Sequence, residues 1–387
     1  MATPNRSRQH PALTIVAVLP LLVLVLLTTA CGSTKVTKNG LGTPQPSGPG
    51  PAIARVEPAG DPRALRIGFS TLPPERTSDA YIGAFATAAQ YADVVLIQRT
   101  PPWEDFLPGG SVSKATADTT RLETGLLDQY KGLKRFYAID PTDGVVQRSR
   151  LANLPPSVDP ELGFLDPNLR QAFIAYTAYI VKNYAPAYLA IGVEVNMTFE
   201  RNPKQFDAFV SLYQEAYDTA KAANSKTKVF PTFQLEDLEG NFGEVHPPHW
   251  SVIDPFRAKM DALAISSYPF LSGIRTAADL RANYYSQLKT YWGGEILIAE
   301  TGYPSAPVDG QVNVGTEEDQ QAYLARIVAE ADKQGFSMVV WFAALDPSFA
   351  STGAASVFKD IGLRKSDGSN KFAWSTWEEW SRRPLKP

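Results

Sequence analysis

Two glutamates occupy positions where a chain rarely puts a charge. Glu194 ends the run "YLAIGVE" at 188 to 194, and Glu300 falls at the end of "EILIAE" at 295 to 300. Each follows at least four small or β-branched apolar residues, the pattern of a buried strand, so each acid stands where a strand leaves the core. The chemistry such a pair could perform is glycosidic bond cleavage. One carboxyl holds a proton for the leaving oxygen, while the other stays ionised to attack or stabilise the anomeric carbon. Those duties demand environments that separate the two pKa values. The carboxyls stand about 5 to 5.5 Å apart when configuration is retained and further apart when it is inverted. Taken singly, either glutamate is as well explained by a helix cap or a salt bridge.

The elements that would position them alternate along the chain. Strand candidates are 65–71, 93–98, 133–140, 188–194, 228–234, 262–268, 295–301 and 338–345. Helix candidates with apolar residues three and four apart are 79–91, 119–131, 168–184, 203–224, 276–291 and 317–335, with a shorter one over 250–259. Asp166-Pro167 and Asn202-Pro203 read as caps followed by proline in the first helical turn. Alternation of strand and helix predicts parallel strands joined by crossovers, and eight such units in about 300 residues predict a single-domain α/β (β/α)8 TIM barrel. The stretch after the first strand, "IGFSTLPPE", carries no GxGxxG, which argues against a dinucleotide-binding doubly wound sheet. In a barrel, strands four and seven would bring Glu194 and Glu300 to one mouth.

The N-terminus is of a different kind. Arg6 and Arg8 precede the apolar run Leu13 to Leu27 and the small-residue exit "TTACGS", the three parts of a secretory signal over 1–30. Cys31 is the one cysteine of the chain and lies where the signal would be cut, which resembles a bacterial lipoprotein signal and implies lipid attachment at Cys31. Thr28 departs from that pattern, and an ordinary secreted protein is the alternative. Residues 31–60, rich in Gly, Pro, Ser and Thr, read as a flexible tether, and 61–387 as the globular domain. The expected setting is extracytoplasmic, on the cell membrane through the N-terminal lipid, as a monomer.

Composition excludes other classes. Without Arg6 and Arg8, 35 Lys plus Arg face 40 Asp plus Glu, and no basic block appears, so nucleic acid is not an expected partner. No GxSxG supports a serine nucleophile. Of three histidines, His10 leaves with the signal, and His246 and His249 share the loop "EVHPPHW", read as rim or substrate contact with no metal. The reaction requires no cofactor. Seven Trp residues suit flat faces for sugars, or a large aromatic core.

The motifs resemble those of clan A glycoside hydrolases, retaining (β/α)8 enzymes. "ETGYP" at 300 to 304 is similar to the nucleophile segment of family 53 endo-β-1,4-galactanases and family 17 β-1,3-glucanases. "IGVEVN" at 191 to 196 resembles the family 53 acid/base segment, "DALAISSYPF" at 261 to 270 its strand six, and "IGLRKSDGSNKFAWSTW" the closing segment of many such enzymes. The resemblance implies Glu194 as acid/base, Glu300 as nucleophile, Tyr268 as the hydrogen-bond partner of the nucleophile, and Trp341 as the floor beneath the sugar. Arg99 and Trp103, after strand two, are candidates to line the cleft. Val193 departs from the family pattern, which places Asn before the acid/base to grip the sugar 2-hydroxyl. Asn196 is the nearest amide on offer for substrate contact, although strand periodicity does not return it to the place of residue 193. Two readings stand: a retaining glycosidase acting on a β-linked polysaccharide or oligosaccharide, and a glycan-binding surface barrel that does not cleave.

Overall fold

All eight apolar runs form parallel strands. The computed structural model describes residues 53–386 except 145, 146 and 244, so the signal segment, Cys31 and most of the tether lie outside the described residues. The strands are β1 (Arg66–Ser70), β2 (Val94–Arg99), β3 (Lys134–Ile139) and β4 (Tyr188–Ile191). After them come β5 (Lys228–Phe230 with Thr232–Gln234), β6 (Ala262–Ser267), β7 (Glu295–Thr301) and β8 (Met338–Trp341). Strand β1 pairs with both β2 and β8. The first run of β5 pairs with β4 and the second with β6. Pro231 lies between those runs; lacking an N–H, it interrupts the ladder while the chain continues in the same direction. The result is a (β/α)8 barrel closed through a broken fifth strand. Strands buried on both faces need apolar residues at consecutive positions, which is why Val94 to Ile97 and Leu189 to Ile191 read as unbroken apolar runs.

The helices begin where short polar side chains can cap them. Thr77 caps α1 (Ser78–Tyr91), Ser113 caps α2 (Lys114–Gln129) and Asp166 caps α3 (Pro167–Tyr184). A short helix, α4 (Val195–Arg201), precedes α5 (Pro203–Ala223), which Asn202 caps, and Thr316 caps α6 (Glu317–Gln334). Each of these caps accepts a backbone N–H otherwise without a partner. The last helix, α7 (Phe372–Arg382), closes the ring between α6 and α1, and Trp377 stacks on Phe69 of β1 with 4.2 Å between ring centroids. Below the barrel, buried Arg63 grips Asp93 at 2.6 Å and donates to the Trp380 carbonyl at 2.8 Å, tying the start of the domain to its end.

One expected helix is not continuous. Between 276 and 291 the chain makes a 3-10 turn at Ala277–Asp279 and one helical turn at Leu288–Tyr291. Arg326 of α6 reaches the carbonyls of Leu280 and Arg281, at 2.7 and 2.5 Å, and so ties this stretch to its neighbour. Tyr284 and Tyr285, adjacent in sequence, are both buried with hydroxyls bonded inward. Tertiary partners outbid the 3.6-residue period. The stretch 250–259 is a 3-10 helix with Pro255 inside it.

Candidate active site

The C-terminal mouth of the barrel is built by strand-end side chains. Strand β4 stops at Ile191, and the next residue, Gly192, turns with φ of 87°; a Cβ there would lie 2.5 Å from the Phe209 ring. Glu194 itself adopts the left-handed region, φ 51°, and serves as the N-cap residue of α4. For a residue with a Cβ this conformation costs about 1–2 kcal/mol. The backbone that holds it is fixed by the Glu194 N–H donating to Thr232 Oγ1 at 2.9 Å.

The carboxylate so aimed is 2% exposed and meets a guanidinium. Arg148 Nε donates to Glu194 Oε2 at 2.7 Å, and its Nη1 donates to Asp140 Oδ1 at 2.7 Å and to Thr142 Oγ1 at 3.0 Å. Gln98, on β2, donates to the other Asp140 oxygen at 2.9 Å. Arg148 sits in the loop after β3 with φ of 61°. Thr198 of α4 holds its carbonyl at 3.0 Å and Asn202 holds that of Ser149 at 2.9 Å. The loop is thus clamped to the helix that Glu194 begins. With both carboxylates beside it, Arg148 is held above its ordinary value in spite of its burial, while burial raises Asp140 against the pull of Arg148.

Glu300 approaches from the other side. The register of β7 slips between Ile298 and Thr301 against β8, and between Ile265 and Ser266 against β6, so a β-bulge lies at Ala299 and Glu300. A bulge re-aims the side chain next to it. Tyr268, the residue after β6, donates its hydroxyl to Glu300 Oε1 at 2.5 Å. Its own N–H donates to Glu236 at 3.0 Å, a buried acid that also accepts from Ser267 and Tyr284 at 2.7 Å each. Phe342 stands edge-on to Tyr268 at 6.2 Å and against Phe358 at 4.8 Å.

The two sides communicate electrostatically. Burial, and after it the charge of Glu194, push Glu300 up to about 8, against the opposing effects of the Tyr268 hydroxyl and Arg148. Glu236 is pushed up to about 7, chiefly by burial. One acid of the mouth is therefore paired with a cation while its neighbour tends to hold a proton, an unlike pair of the kind acid–base chemistry needs.

Several residues singled out in the sequence are placed elsewhere. Arg99 alternates with Gln98 on β2 and points outward, where it pairs with buried Glu123 and donates to the Tyr81 hydroxyl at 2.8 Å. Trp103 stacks on Phe173 and donates to the Ala152 carbonyl at 2.8 Å. Both border a cavity of about 540 Å³ between β2, α2 and α3, which neither Glu194 nor Glu300 lines. Trp341 is fully buried, packed near Tyr323 of α6 and donating to the Ile361 carbonyl at 2.8 Å; Phe342, one residue on, is the aromatic beside Tyr268. Asn196 is a buried strut, bonded to Gln234 through N–H and C=O and to Asp237 at 2.8 Å. Val193 borders a void of about 10 Å³ with Pro141 and Phe164, room for no more than a water.

The site also contains residues that sequence reasoning missed. Gln98 and Asp140 follow the same strand-end rule as the glutamates and were open to discovery by it. Arg148 and Glu236 lie in a loop and a single helical turn with no local signal.

The fold is that of a (β/α)8 barrel, and its mouth is similar to that of the clan A glycoside hydrolases. Residues 168–342 match the model of Glycosyl hydrolase family 53, a span covering strands β4 to β8 and both glutamates. Among solved structures the fold is shared with exo-β-1,4-mannosidase Op5Man5 from Opitutaceae bacterium strain TAV5. That match has a TM-score of 0.60 at 16% identity, over 86% of this chain and 61% of that one, so the chain spans less than two thirds of it. GH5_18 from Bifidobacterium longum subsp. longum ATCC 55813 is similar with a TM-score of 0.59 at 17% identity, over 84% and 81% of the two chains. A glycoside hydrolase family 17 β-1,3-glucanosyltransferase from Rhizomucor miehei is similar with a TM-score of 0.50 at 16% identity, over 77% and 91%. A search of the curated proteins finds no match.

Proposed function

We propose that the protein cleaves a β-linked polysaccharide or oligosaccharide with retention of configuration, Glu300 acting as nucleophile and Glu194 as acid/base. The observation that carries this reading is the pair of buried acids at one barrel mouth, Glu194 held by Arg148 at 2.7 Å and Glu300 by the Tyr268 hydroxyl at 2.5 Å. In the free protein Arg148 holds Glu194 at 2.7 Å, while burial and the charge of Glu194 favour a proton on Glu300. Reaction starts with transfer of that proton from Glu300 to Glu194, directly or through a bound hydroxyl, as Arg148 shifts its hold toward Asp140. Glu300 then attacks the anomeric carbon, the glycosidic C–O bond breaks and Glu194 protonates the departing oxygen. In the second half Glu194 takes a proton from water, whose oxygen displaces Glu300 from the anomeric carbon. Tyr268 steadies the Glu300 anion. Phe342, beside Tyr268, is the surface on which the sugar rests.

A second reading is a barrel that binds glycans without cleaving them. The Arg148 clamp on Glu194 and the valine at 193 favour it, because both remove features the reaction uses. An activity panel of β-galactans, β-glucans, β-mannans and xylans, with Glu194→Gln and Glu300→Gln beside the natural protein, separates the two. Turnover lost in both variants supports catalysis, turnover kept in both removes these residues from it, and tight binding with no turnover in any form supports the binder. Azide added to a Glu300→Gly variant should give a product of opposite anomeric configuration to that from Glu194→Ala if the roles are as stated.

We place the domain outside the cytoplasm as a monomer, held on the membrane by lipid at Cys31. As a flexible coil, thirty tether residues have a root-mean-square reach of roughly 30 Å, enough to let the mouth face a polymer. Release of a Cys31→Ser variant into the medium is the expected result; retention of that variant on the membrane would overturn the anchor.

A further inference from the structure

The loop after β5 carries a cluster outside the machinery described above. We propose that Glu200, His246 and His249 bind one divalent transition-metal ion of the zinc class, which fastens this loop to helix α4. One ligand atom from each residue lies within 4.8 Å of the other two. Ligands held 2.0–2.2 Å from a common zinc sit about 3.3–3.6 Å apart, so a small side-chain adjustment closes the site.

The state of each imidazole supports the assignment. His249 Nδ1 faces Glu200 Oε1 at 2.8 Å, and its other nitrogen faces Asp237 Oδ2 at 3.2 Å. A carboxylate on the far nitrogen of a histidine fixes the tautomer and raises its basicity as a ligand. Asp237 is itself held by Arg201 at 2.9 Å and Asn196 at 2.8 Å. His246 shows the clearest vacancy for a bond. Its Nδ1 lies 2.9 Å from the Pro247 carbonyl and so carries the hydrogen. The lone pair is thereby left on Nε2, which is buried and makes no hydrogen bond. Asp237 Oδ1, 3.8 Å from it, is too far for one.

The backbone is shaped for this approach. Gly240 has φ of 76°, and a Cβ there would meet the His246 carbonyl oxygen at 1.8 Å, so the loop can fold back on itself only with glycine at this position. The His249 N–H donates to the Leu238 carbonyl at 3.0 Å, which anchors the far end. Two imidazoles and one carboxylate suit zinc-like ions, whereas calcium and magnesium prefer oxygen ligands throughout. Helix α4 begins at Glu194, so the ion would stiffen the element that aims this residue. The proposal stands whether or not the barrel cleaves its glycan.

The test uses tag-free protein freed of metal by chelation. Zinc is titrated by calorimetry, and cobalt(II) by its visible absorption as a reporter of geometry. The expected result is saturable binding of one ion per chain, cobalt bands showing nitrogen ligation, and a higher melting temperature with zinc but not with calcium or magnesium. His246→Ala should weaken binding at least tenfold, in line with the loss of a ligand group. His246 sits in a loop and its ring stacks on His249 at 4.4 Å without a hydrogen bond to a side chain, so this variant should keep its fold even if His249→Ala does not. No stoichiometric binding, binding unchanged in His246→Ala, or calcium binding as tightly as zinc would each overturn the site. Hydrolysis enters none of these readouts, so failure here is distinct from failure of the glycosidase reading.

Discussion

Replacing Arg148 with methionine, which keeps an unbranched apolar stem and carries no charge, tests how the mouth is held together. In the structure the guanidinium is 1% exposed and bridges Glu194 and Asp140 at 2.7 Å each. Removing one member of a buried ionic group leaves the others uncompensated, at a cost of about 3–5 kcal/mol. With an unfolding entropy of about 2.1 cal/mol/K per residue over roughly 330 residues, that corresponds to a melting temperature lower by about 4–7 °C at pH 7. The loss should depend on pH in a definite direction. Without the cation, Asp140 keeps the raising effect of burial and loses the opposing pull of Arg148, so it binds a proton in the folded state that the unfolded chain releases near its ordinary carboxyl value. Stability then falls as pH rises, because the folded state holds more protons than the unfolded one. The gap between variant and natural protein should be widest at pH 8 and shrink by half or more at pH 5. Urea melts of both proteins at pH 5, 6, 7 and 8 measure it. A variant within 1 kcal/mol of the natural protein at every pH would refute the idea that this arginine neutralises the mouth.

Other consequences are open to measurement. Tyr268→Phe removes a hydrogen bond to a carboxylate, worth about 1.5–3 kcal/mol; kcat should fall roughly 10- to 150-fold and the alkaline limb of the kcat/KM profile should move upward, because the hydroxyl favours the Glu300 anion. An unchanged alkaline limb would remove Tyr268 from that role. In the natural protein Glu236 and Glu300 are raised, to about 7 and about 8. The stability they contribute is fully present below the ordinary glutamate range and lost as pH rises through those values, so the melting temperature should decline steadily from pH 6 to 9, and a flat curve would contradict the assignment. Trp377→Ala should cost about 3–5 kcal/mol, since Trp377 is wholly buried on Phe69 and donates to the Tyr91 carbonyl at 3.0 Å. A loss under 1 kcal/mol there would mean that α7 does not complete the ring.

The barrel and its two strand-end acids were legible because their signals are local. A parallel strand buried on both faces has to be apolar at successive positions, and a capped helix has to announce itself within four residues; Asp166-Pro167 and Asn202-Pro203 did so. The strand-end rule reached Glu194 and Glu300, and would have reached Gln98 and Asp140.

Direction and partnership were decided elsewhere. Arg99 points away from the mouth because strand alternation gives that side to Gln98, and Trp341 is buried against the helix layer while Phe342 stands beside Tyr268. A one-residue difference reverses the face, and a bulge at Ala299 and Glu300 or a left-handed turn at Glu194 alters the count without leaving a mark in composition. Arg148 reaches Glu194 across 46 residues, and His246 and His249 meet Glu200 across as many or more. The sequence by itself determined which stretches become strands and helices and so where two acids emerge; only the tertiary structure decided what each acid faces, because the energy of a buried charge is set by neighbours that the fold, not the chain order, brings within 3 Å.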